Sequence, residues 1–335
     1  MTDAWRSPGG VRARVNAARA LLAVSRRARR SRPVFIVGAA RSGTSILYRC
    51  LLQLPAFAPA IDEPDRLMES HALAWIADNP RLRPPATWFV DGFMAHDEAA
   101  LSRFYDLAWS AEPWRAAARR VADGRSLRAW RLSGEPLIVR AFFEVARAAR
   151  GCARLAEKTP SNVGRADRLA VAFPRARLLF IVRHPVDVLS SFRKRGQRDA
   201  YQRPWADLGV DAFADQYRAE AADVRRLQTS IGDRFKVVRY EDFTGDPAAT
   251  MRAVCAFVGE PFEAGAVRLS DEGYGRWEVD PHLYGSVVSE TKDWRSFLTV
   301  EDARALEDDL GPELLQFSYD RYTNPEETRD QSCYR

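Results

Sequence analysis

One continuous stretch of this chain, VFIVGAARSGTSILYRCLL (34–52), constrains its fold more than any other. Its first five residues are apolar and mostly β-branched, and such a run is typical of a strand buried on both faces of a parallel sheet. Gly38 and Gly43 bracket a tight turn, after which Thr44 or Ser45 begins a helix. Backbone N–H groups of such a turn, together with the helix N-terminus, form a concave anion site. The stretch therefore predicts a strand, an anion-binding loop and a helix in direct succession.

Similar apolar runs recur later in the chain, with helical patterns between and after them. The runs cover 153–159, 177–183 and 235–240, and the helical patterns cover 160–173, 185–196 and 211–230. Strands that alternate with helices predict a parallel sheet covered by helices on both faces. We therefore expect an α/β fold.

From about 64 to 150 the sequence is helical in pattern, with proline-rich breaks. We interpret this part as a helical insertion after the first strand, and as a cap that binds substrate. The expected organisation is then a basic N-terminal helical segment (1–32), a single α/β domain (33–320) and a C-terminal tail (321–335).

The basic charge of the chain is concentrated at its N-terminus. The formal net charge is +6, but residues 1–32 hold nine arginines and one aspartate, and the remainder holds 42 basic and 44 acidic groups. The body is therefore nearly neutral, and no nucleic-acid partner is expected. The arginine-rich helix either packs on the body with a solvated face or contacts a membrane surface or a polyanion.

Cysteine usage and hydropathy bear on the compartment. The four cysteines are widely spaced and form no CxxC motif, which excludes a disulfide framework and any zinc site recognisable from spacing. No window approaches 18 consecutive apolar residues, and the N-terminus lacks the pattern of a secretory signal. We therefore expect a cytoplasmic protein, and the heavy use of arginine and alanine points to a bacterial source.

The loop between Gly38 and Gly43 matches the nucleotide-binding spacing GxxxxGK[ST] except at one position. Thr44 stands where a nucleotide triphosphatase carries lysine, whereas Arg41 places a cation inside the loop. The segment VGAARSGTSIL (37–47) resembles the 5′-phosphosulfate-binding loop of sulfotransferases that use 3′-phosphoadenosine-5′-phosphosulfate (PAPS). This resemblance implies a P-loop-type, nucleotide-kinase-like sheet. The donor-binding residues that it implies in the loop are Arg41, Ser42, Gly43, Thr44 and Ser45.

A second stretch carries the same resemblance. The apolar run LLFIV ends in Arg183-His184-Pro185, and a helical pattern follows. This arrangement is similar to the family's 3′-phosphate motif, in which a serine follows the strand-end arginine by eight residues, as Ser191 follows Arg183. An arginine at the carboxyl end of a parallel strand points into the ligand crevice, and two helical turns return Ser191 to the same side. The alternatives are a surface charge that caps a strand and an ordinary helical serine.

Two weaker matches follow. VVRYEDF (237–243) resembles the family's YED segment, which implies that Tyr240 lies near the adenine, where an aromatic ring can stack. The two acidic residues after it either cap or anchor the chain locally. SETKDWRSFLT (289–299) is similar to the loop that closes over the 3′-phosphate, with Lys292 as a possible contact, although the family's RKG sequence is absent.

The resemblance runs from residue 33 to about 300, interrupted by the insertion. It is closer to the Golgi-type and bacterial sulfotransferases than to the cytosolic phenol and steroid enzymes. The cytosolic enzymes have a lysine in the loop and a Lys-Thr-His-x-Pro segment, where this chain has Arg41 and EKTP (157–160).

Sulfonate transfer requires neutralisation of charge on the leaving oxygens and a base for the acceptor proton. Arg41 and Lys158 are expected to stabilise that charge, although Lys158 could instead form a structural salt bridge. Glu63 follows the loop helix and resembles the base of the heparan-type and tyrosyl-protein sulfotransferases; its alternatives are a helix N-terminal charge and a substrate contact. His184 and Glu157 are the reserve candidates for the base.

The expected function is transfer of a sulfonate group from PAPS, without a metal, to a hydroxyl or amine of a small-molecule, glycan or glycolipid acceptor. One alternative is a nucleotide-dependent P-loop kinase, against which the missing lysine and the lack of Mg²⁺ ligands count. The other alternative is a polyanion-binding protein with a degenerate nucleotide site.

Overall fold

A computed structural model describes residues 26–60, 69, 151–198, 200–269, 285–287 and 293–323, with seven helical residues between 136 and 147. Five strands form one parallel sheet in the order β2-β3-β1-β4-β5. They are β1 (Val34–Gly38), β2 (Phe57–Pro59), β3 (Arg154–Lys158), β4 (Arg177–Val182) and β5 (Phe235–Arg239). The predicted α/β fold is therefore confirmed.

Eight α-helices lie wholly within the described part of the chain. They are α1 (Thr44–Leu52), α2 (Ala166–Ala172), α3 (Pro185–Arg198), α4 (Val210–Ile231), α5 (Tyr240–Gly245), α6 (Pro247–Val258), α7 (Val300–Asp309) and α8 (Gly311–Gln316). A short antiparallel pair, β6 (Arg268–Leu269) and β7 (Gly285–Ser286), lies outside the main sheet. None of these helices is both long and apolar enough to cross a membrane.

Both faces of the sheet are buried, as the continuous apolar runs predict. In β1, Phe35 and Val37 belong to one buried cluster, whereas Val34 and Ile36 belong to a second cluster on the other face. Side chains from α2, α3, α4, α7 and α8 complete the first cluster, and side chains from α1, α5 and α6 complete the second. Because successive strand residues point to opposite faces, a strand covered on both sides is expected to be mainly apolar, as β1 is at every position.

The structure differs from the expected elements in two places. The helix predicted over 160–173 begins as a 3-10 turn at Pro160–Arg165 and becomes α2 only at Ala166. Strand β2 was not predicted, because three residues that end in proline give no periodic signal. Most of the predicted insertion (64–150) and of the N-terminal segment (1–32) lies outside the described residues.

Strand order places a crevice at the carboxyl end of β1. Strands β2 and β3, which follow β1 in the chain, lie on one side of β1, and the later strands β4 and β5 lie on its other side. Ligands of open α/β sheets bind at the topological switch point, where the strand order reverses. The loops that follow β1, β3, β4 and β5 are therefore the ones that can meet at a ligand.

Candidate functional site

The loop after β1 has the backbone conformation of an anion-binding turn. Gly38, Arg41 and Gly43 all have positive φ, at 146°, 70° and 92°. Gly38 admits no side chain, since a Cβ there would lie 2.5 Å from the backbone oxygen of Ile181. Helix α1 then begins at Thr44 with no side-chain cap and no acidic residue in its first turn. The first N–H groups of α1 are thus left for an anion.

Arg41 joins the loop to the second predicted motif. Its Nε donates a hydrogen bond of 3.1 Å to Oγ of Ser191, which lies on α3, 150 residues further along the chain. The side chain of Arg41 is half-buried, and its backbone conformation is one that non-glycine residues rarely adopt. The two motifs that the sequence predicted separately therefore meet at one place.

Arg183 and Tyr240 complete the same cluster. Arg183 directly follows β4 and is 7% exposed, with Nη2 at 3.4 Å from Oδ2 of Asp187. Its guanidinium lies 4.4 Å from the centroid of the Tyr240 ring. The same ring packs on the phosphate loop, since a Cβ added to Gly43 would come within 2.4 Å of it. The loop, the strand-end arginine and the YED segment thus form a continuous surface.

Two polar atoms in this cluster are buried without a partner. Among the described residues, neither Oγ of Ser42 nor Nε of Arg183 has a hydrogen-bond partner. An unsatisfied buried polar group costs about 1–3 kcal/mol, so native proteins rarely retain one without a use. A hydroxyl and a guanidinium N–H on one surface suit a ligand with several anionic oxygens.

Lys158 ends β3 with its side chain fully buried. Its Nζ lies 2.6 Å from Oε1 of Glu69, so a salt bridge, the alternative to a catalytic role for this residue, is present. Burial lowers the pKa of Lys158, the carboxylates of Glu69 and Glu157 oppose that effect, and Arg41 lowers it further. Lys158 therefore lies close enough to Arg41 to feel its charge. No motif in the sequence indicated Glu69 as the partner, since it lies 89 residues away along the chain.

His184 is fixed in a structural role. Burial lowers the pKa of this imidazole to about 4, so the ring is neutral at physiological pH. Its Nε2 lies 3.1 Å from the backbone oxygen of Asp320, and its ring stacks on Tyr322 with the centroids 3.7 Å apart.

Three further residues were named from the sequence, and the structure describes one of them. Oε1 of Glu157 accepts a hydrogen bond from the neighbouring threonine hydroxyl, while Glu63 and Lys292 lie outside the described residues.

Comparison with known proteins agrees with this geometry. A model of the sulfotransferase family matches residues 33–264. Omega-hydroxy-beta-dihydromenaquinone-9 sulfotransferase Stf3 of Mycobacterium bovis is 28% identical over 181 residues, 51% of this chain and 42% of that protein. Human carbohydrate sulfotransferase 2 is 28% identical over 143 residues, 37% of this chain and 26% of that protein. The matches thus span less than half the length of either relative.

A solved structure shows the same fold. The sulfotransferase domain of the olefin synthase from Synechococcus PCC 7002 superposes with a TM-score of 0.54 at 22% identity, covering 87% of this chain and 96% of that domain. The family model covers well over half of the chain, from the strand before the phosphate loop to beyond the YED segment. This chain therefore belongs to the sulfotransferase family.

Proposed function

We propose that this protein transfers a sulfonate group from PAPS to an acceptor hydroxyl or amine. The observation that carries the proposal is the contact between Arg41 and Ser191, since it joins the loop expected to bind the 5′-phosphosulfate to the motif expected to bind the 3′-phosphate. A nucleotide that carries phosphates on both the 5′ and the 3′ position of its ribose needs both motifs on one surface. A P-loop kinase needs only the first.

The residues at the site fit such a donor. Arg41, Ser42, Gly43, Thr44 and Ser45 would hold the 5′-phosphosulfate through loop N–H groups, the loop cation and side-chain hydroxyls. Arg183 and Ser191 would bind the 3′-phosphate, and Tyr240 would lie beside the adenine. The unpartnered Oγ of Ser42 and Nε of Arg183 support this fit, because both are donors that a phosphate oxygen would satisfy.

When bound, PAPS supplies the sulfonate group and carries away the electrons of the broken sulfur–oxygen bond on its phosphate. The cations of Arg41 and Lys158 would neutralise the charge that grows on that phosphate. Glu63 would accept the proton from the acceptor as the new oxygen–sulfur bond forms. Glu157 is less suited, because its carboxylate already accepts a hydrogen bond from Thr159. His184 is less suited because its ring is held between Asp320 and Tyr322.

The acceptor is proposed from the relatives. One is named for a carbohydrate and the other for a hydroxylated menaquinone. We therefore place glycans, glycolipids and small hydroxylated molecules first. The cysteines in the described part of the chain (Cys50, Cys152 and Cys255) are free thiols, which supports a reducing, cytoplasmic setting.

Calorimetric titration tests the donor. Adenosine 3′,5′-bisphosphate (PAP) should bind the wild type, and ATP with Mg²⁺ should not match it. Arg183→Ala should weaken PAP about tenfold to a hundredfold, the usual effect of losing hydrogen bonds to a charged group. Arg198→Ala, an exposed change at the end of α3, the helix that follows Arg183, is the matched control and should bind PAP normally.

Other results would favour the alternatives. Binding of ATP but not PAP would establish the kinase reading instead. Deletion of residues 1–25 addresses polyanion binding, and it leaves in place the buried Ala28, which packs in the core. The donor proposal predicts that this deletion leaves PAP binding intact.

A further inference from the structure

The backbone around Arg183 is held on two sides. The hydroxyl of Tyr217, on α4, donates a hydrogen bond of 3.1 Å to the backbone oxygen of Arg183. The backbone N–H of His184 donates one of 2.9 Å to Oε1 of Glu241, on α5. Because hydrogen bonds hold the backbone at the carbonyl of Arg183 and at the next N–H, the Cα of Arg183 has little freedom to shift. The position from which its guanidinium extends is therefore fixed.

The C-terminal segment (Tyr319–Thr323) packs against this same point. The Tyr322 ring lies on the His184 ring with an angle of 12° between the planes. The backbone N–H groups of Tyr322 and Thr323 donate to the two oxygens of Glu307, at 2.6 and 3.1 Å. Glu307 is fully buried on α7. The segment is therefore anchored to the body, although it follows the last helix described.

Tyr322 and Arg183 share one carboxylate oxygen. The Tyr322 hydroxyl donates to Oδ2 of Asp187 over 3.1 Å, and Nη2 of Arg183 lies 3.4 Å from the same atom. The side chains of Arg183 and Asp187 are only 9% and 15% exposed, so water screens their interaction weakly. Burial and the negative charge of Asp187 raise the pKa of Tyr322, which keeps its hydroxyl protonated and able to donate.

We propose that Tyr322 is a positioning residue for the donor's 3′-phosphate: its hydroxyl holds the Asp187 carboxylate and leaves the Arg183 guanidinium available to the phosphate. The inference rests on the proposed function, because it assigns the 3′-phosphate to Arg183. Tyr322 belongs to none of the motifs identified in the sequence, and it lies 139 positions beyond Arg183 in the chain.

The Asp187 carboxylate and a 3′-phosphate would compete for the Arg183 guanidinium. A half-buried carboxylate needs polar partners, and Asp187 has two: the Tyr322 hydroxyl, which donates a hydrogen bond, and the Arg183 guanidinium, which forms an ion pair. Without the tyrosine hydroxyl, Asp187 would rely on Arg183 alone, and a phosphate would have to displace a tighter ion pair. Loss of the hydroxyl should therefore weaken ligands with a 3′-phosphate and spare those without one.

Paired titrations test this effect. PAP and adenosine 5′-monophosphate (AMP) differ only in the 3′-phosphate, and Tyr322→Phe keeps the ring on His184 while it removes the hydroxyl. We expect the variant to bind PAP about tenfold more weakly, with AMP affinity unchanged. In an Asp187→Asn background, which should bind PAP at least as tightly as the wild type, Tyr322→Phe should have no effect. Tyr48→Phe removes a buried hydroxyl that bonds to Ala156 on β3, and serves as the control.

Each contrary result has a distinct meaning. Equal losses for PAP and AMP, a loss that persists beside Asp187→Asn, or loss of PAP binding in Asp187→Asn alone would overturn the role of Tyr322. Absence of PAP binding in the wild type would overturn the proposed function, and the inference with it. PAP binding in the wild type, unaltered in Tyr322→Phe, would overturn only the inference.

Discussion

The side-chain nitrogen of Lys158 lies where water cannot reach it. A fully buried ammonium group is unstable without an anion, and the Glu69 carboxylate at 2.6 Å supplies one. Burial lowers the pKa of Lys158, so the protonated form that could stabilise a leaving phosphate depends on this partner. The Glu69 carboxylate is held in this ion pair, which distinguishes it from a base that must face the acceptor.

We therefore expect Glu69→Gln to lower the pKa of Lys158 further. The chain contains only four lysines, so selective isotopic labelling of lysine gives four side-chain signals to follow by NMR as the pH is raised. Lys158 is assigned by its absence in Lys158→Arg. If sulfonate transfer requires protonated Lys158, the alkaline limb of the pH–rate profile should move to lower pH in Glu69→Gln.

The other lysines provide the internal control. Lys194 and Lys236 lie on α3 and β5, and their side-chain NMR signals should be the same in Glu69→Gln as in the wild type. An unchanged pKa for Lys158 would show that the ion pair does not sustain its charge.

At the scale of elements, α6 illustrates how a local device supports the site. The Asp246 side chain accepts a hydrogen bond of 2.8 Å from the backbone N–H of Ala249, and Pro247 occupies the first turn. Both features are typical of a helix start. Helix α6 and the preceding α5, which begins at Tyr240, pack on the same face of the sheet as α1. The cap therefore stabilises an element that supports the YED segment.

Asp246→Ala should cost about 1 kcal/mol of unfolding free energy, because it leaves a helix N–H group without its acceptor. Asp246→Asn should cost little, since asparagine caps equally well. Urea denaturation of the three proteins measures the difference. Equal losses in both variants would mean that the charge of Asp246, and not its role as a cap, provides the stability.

The elements differ in how far the sequence predicts them. Strands β1, β4 and β5 lie within a residue of the apolar runs that predict them, because burial on both faces favours apolar residues along most of a strand. Helix α4, predicted over 211–230, spans Val210–Ile231. Strand β2 and the 3-10 turn at Pro160–Arg165 were beyond prediction, because their conformations depend on pairing and packing and not on a repeat in the sequence.

For the whole molecule, acid should be destabilising through His184. The unfolded chain takes up a proton at this histidine near its ordinary pKa of 6.5, whereas the folded protein does so only near 4. Between these values the unfolded state binds more protons, so stability must fall as the pH falls from about 6.5 toward 4. The loss between pH 7 and pH 5 is on the order of 2 kcal/mol.

His184→Gln removes the titrating group and keeps a side-chain donor near Asp320. Denaturant titrations at pH 7, 6 and 5 should show a shallower decline for the variant than for the wild type. Comparison of the two proteins cancels other groups, such as Glu220, whose pKa burial raises to about 7. Parallel pH dependences would mean that His184 accepts its proton in the folded state as readily as in the unfolded chain.

For the whole molecule, the sequence does not predict which distant residues will contact each other. Arg41, Arg183 and Ser191 lie in short motifs with fixed spacing, so their convergence was predictable. Glu69 and Tyr322 act through partners 89 and 135 residues away, and nothing local distinguishes them from other acidic or aromatic residues. Only the folded chain decides which carboxylate faces a buried lysine.

Strands β2 and β3 pair directly, although residues 60–153 lie between them in the chain. Because that segment leaves the sheet and returns to an adjacent strand, its length and sequence can change with little effect on the register of the remaining strands. The donor loop, the strand-end arginine and the YED segment all lie outside it, whereas Glu69 lies within it and pairs with Lys158 on β3. The part of the chain that we interpret as a substrate-binding cap can therefore diverge, in evolution or by design, while the strands that carry the donor motifs keep their register.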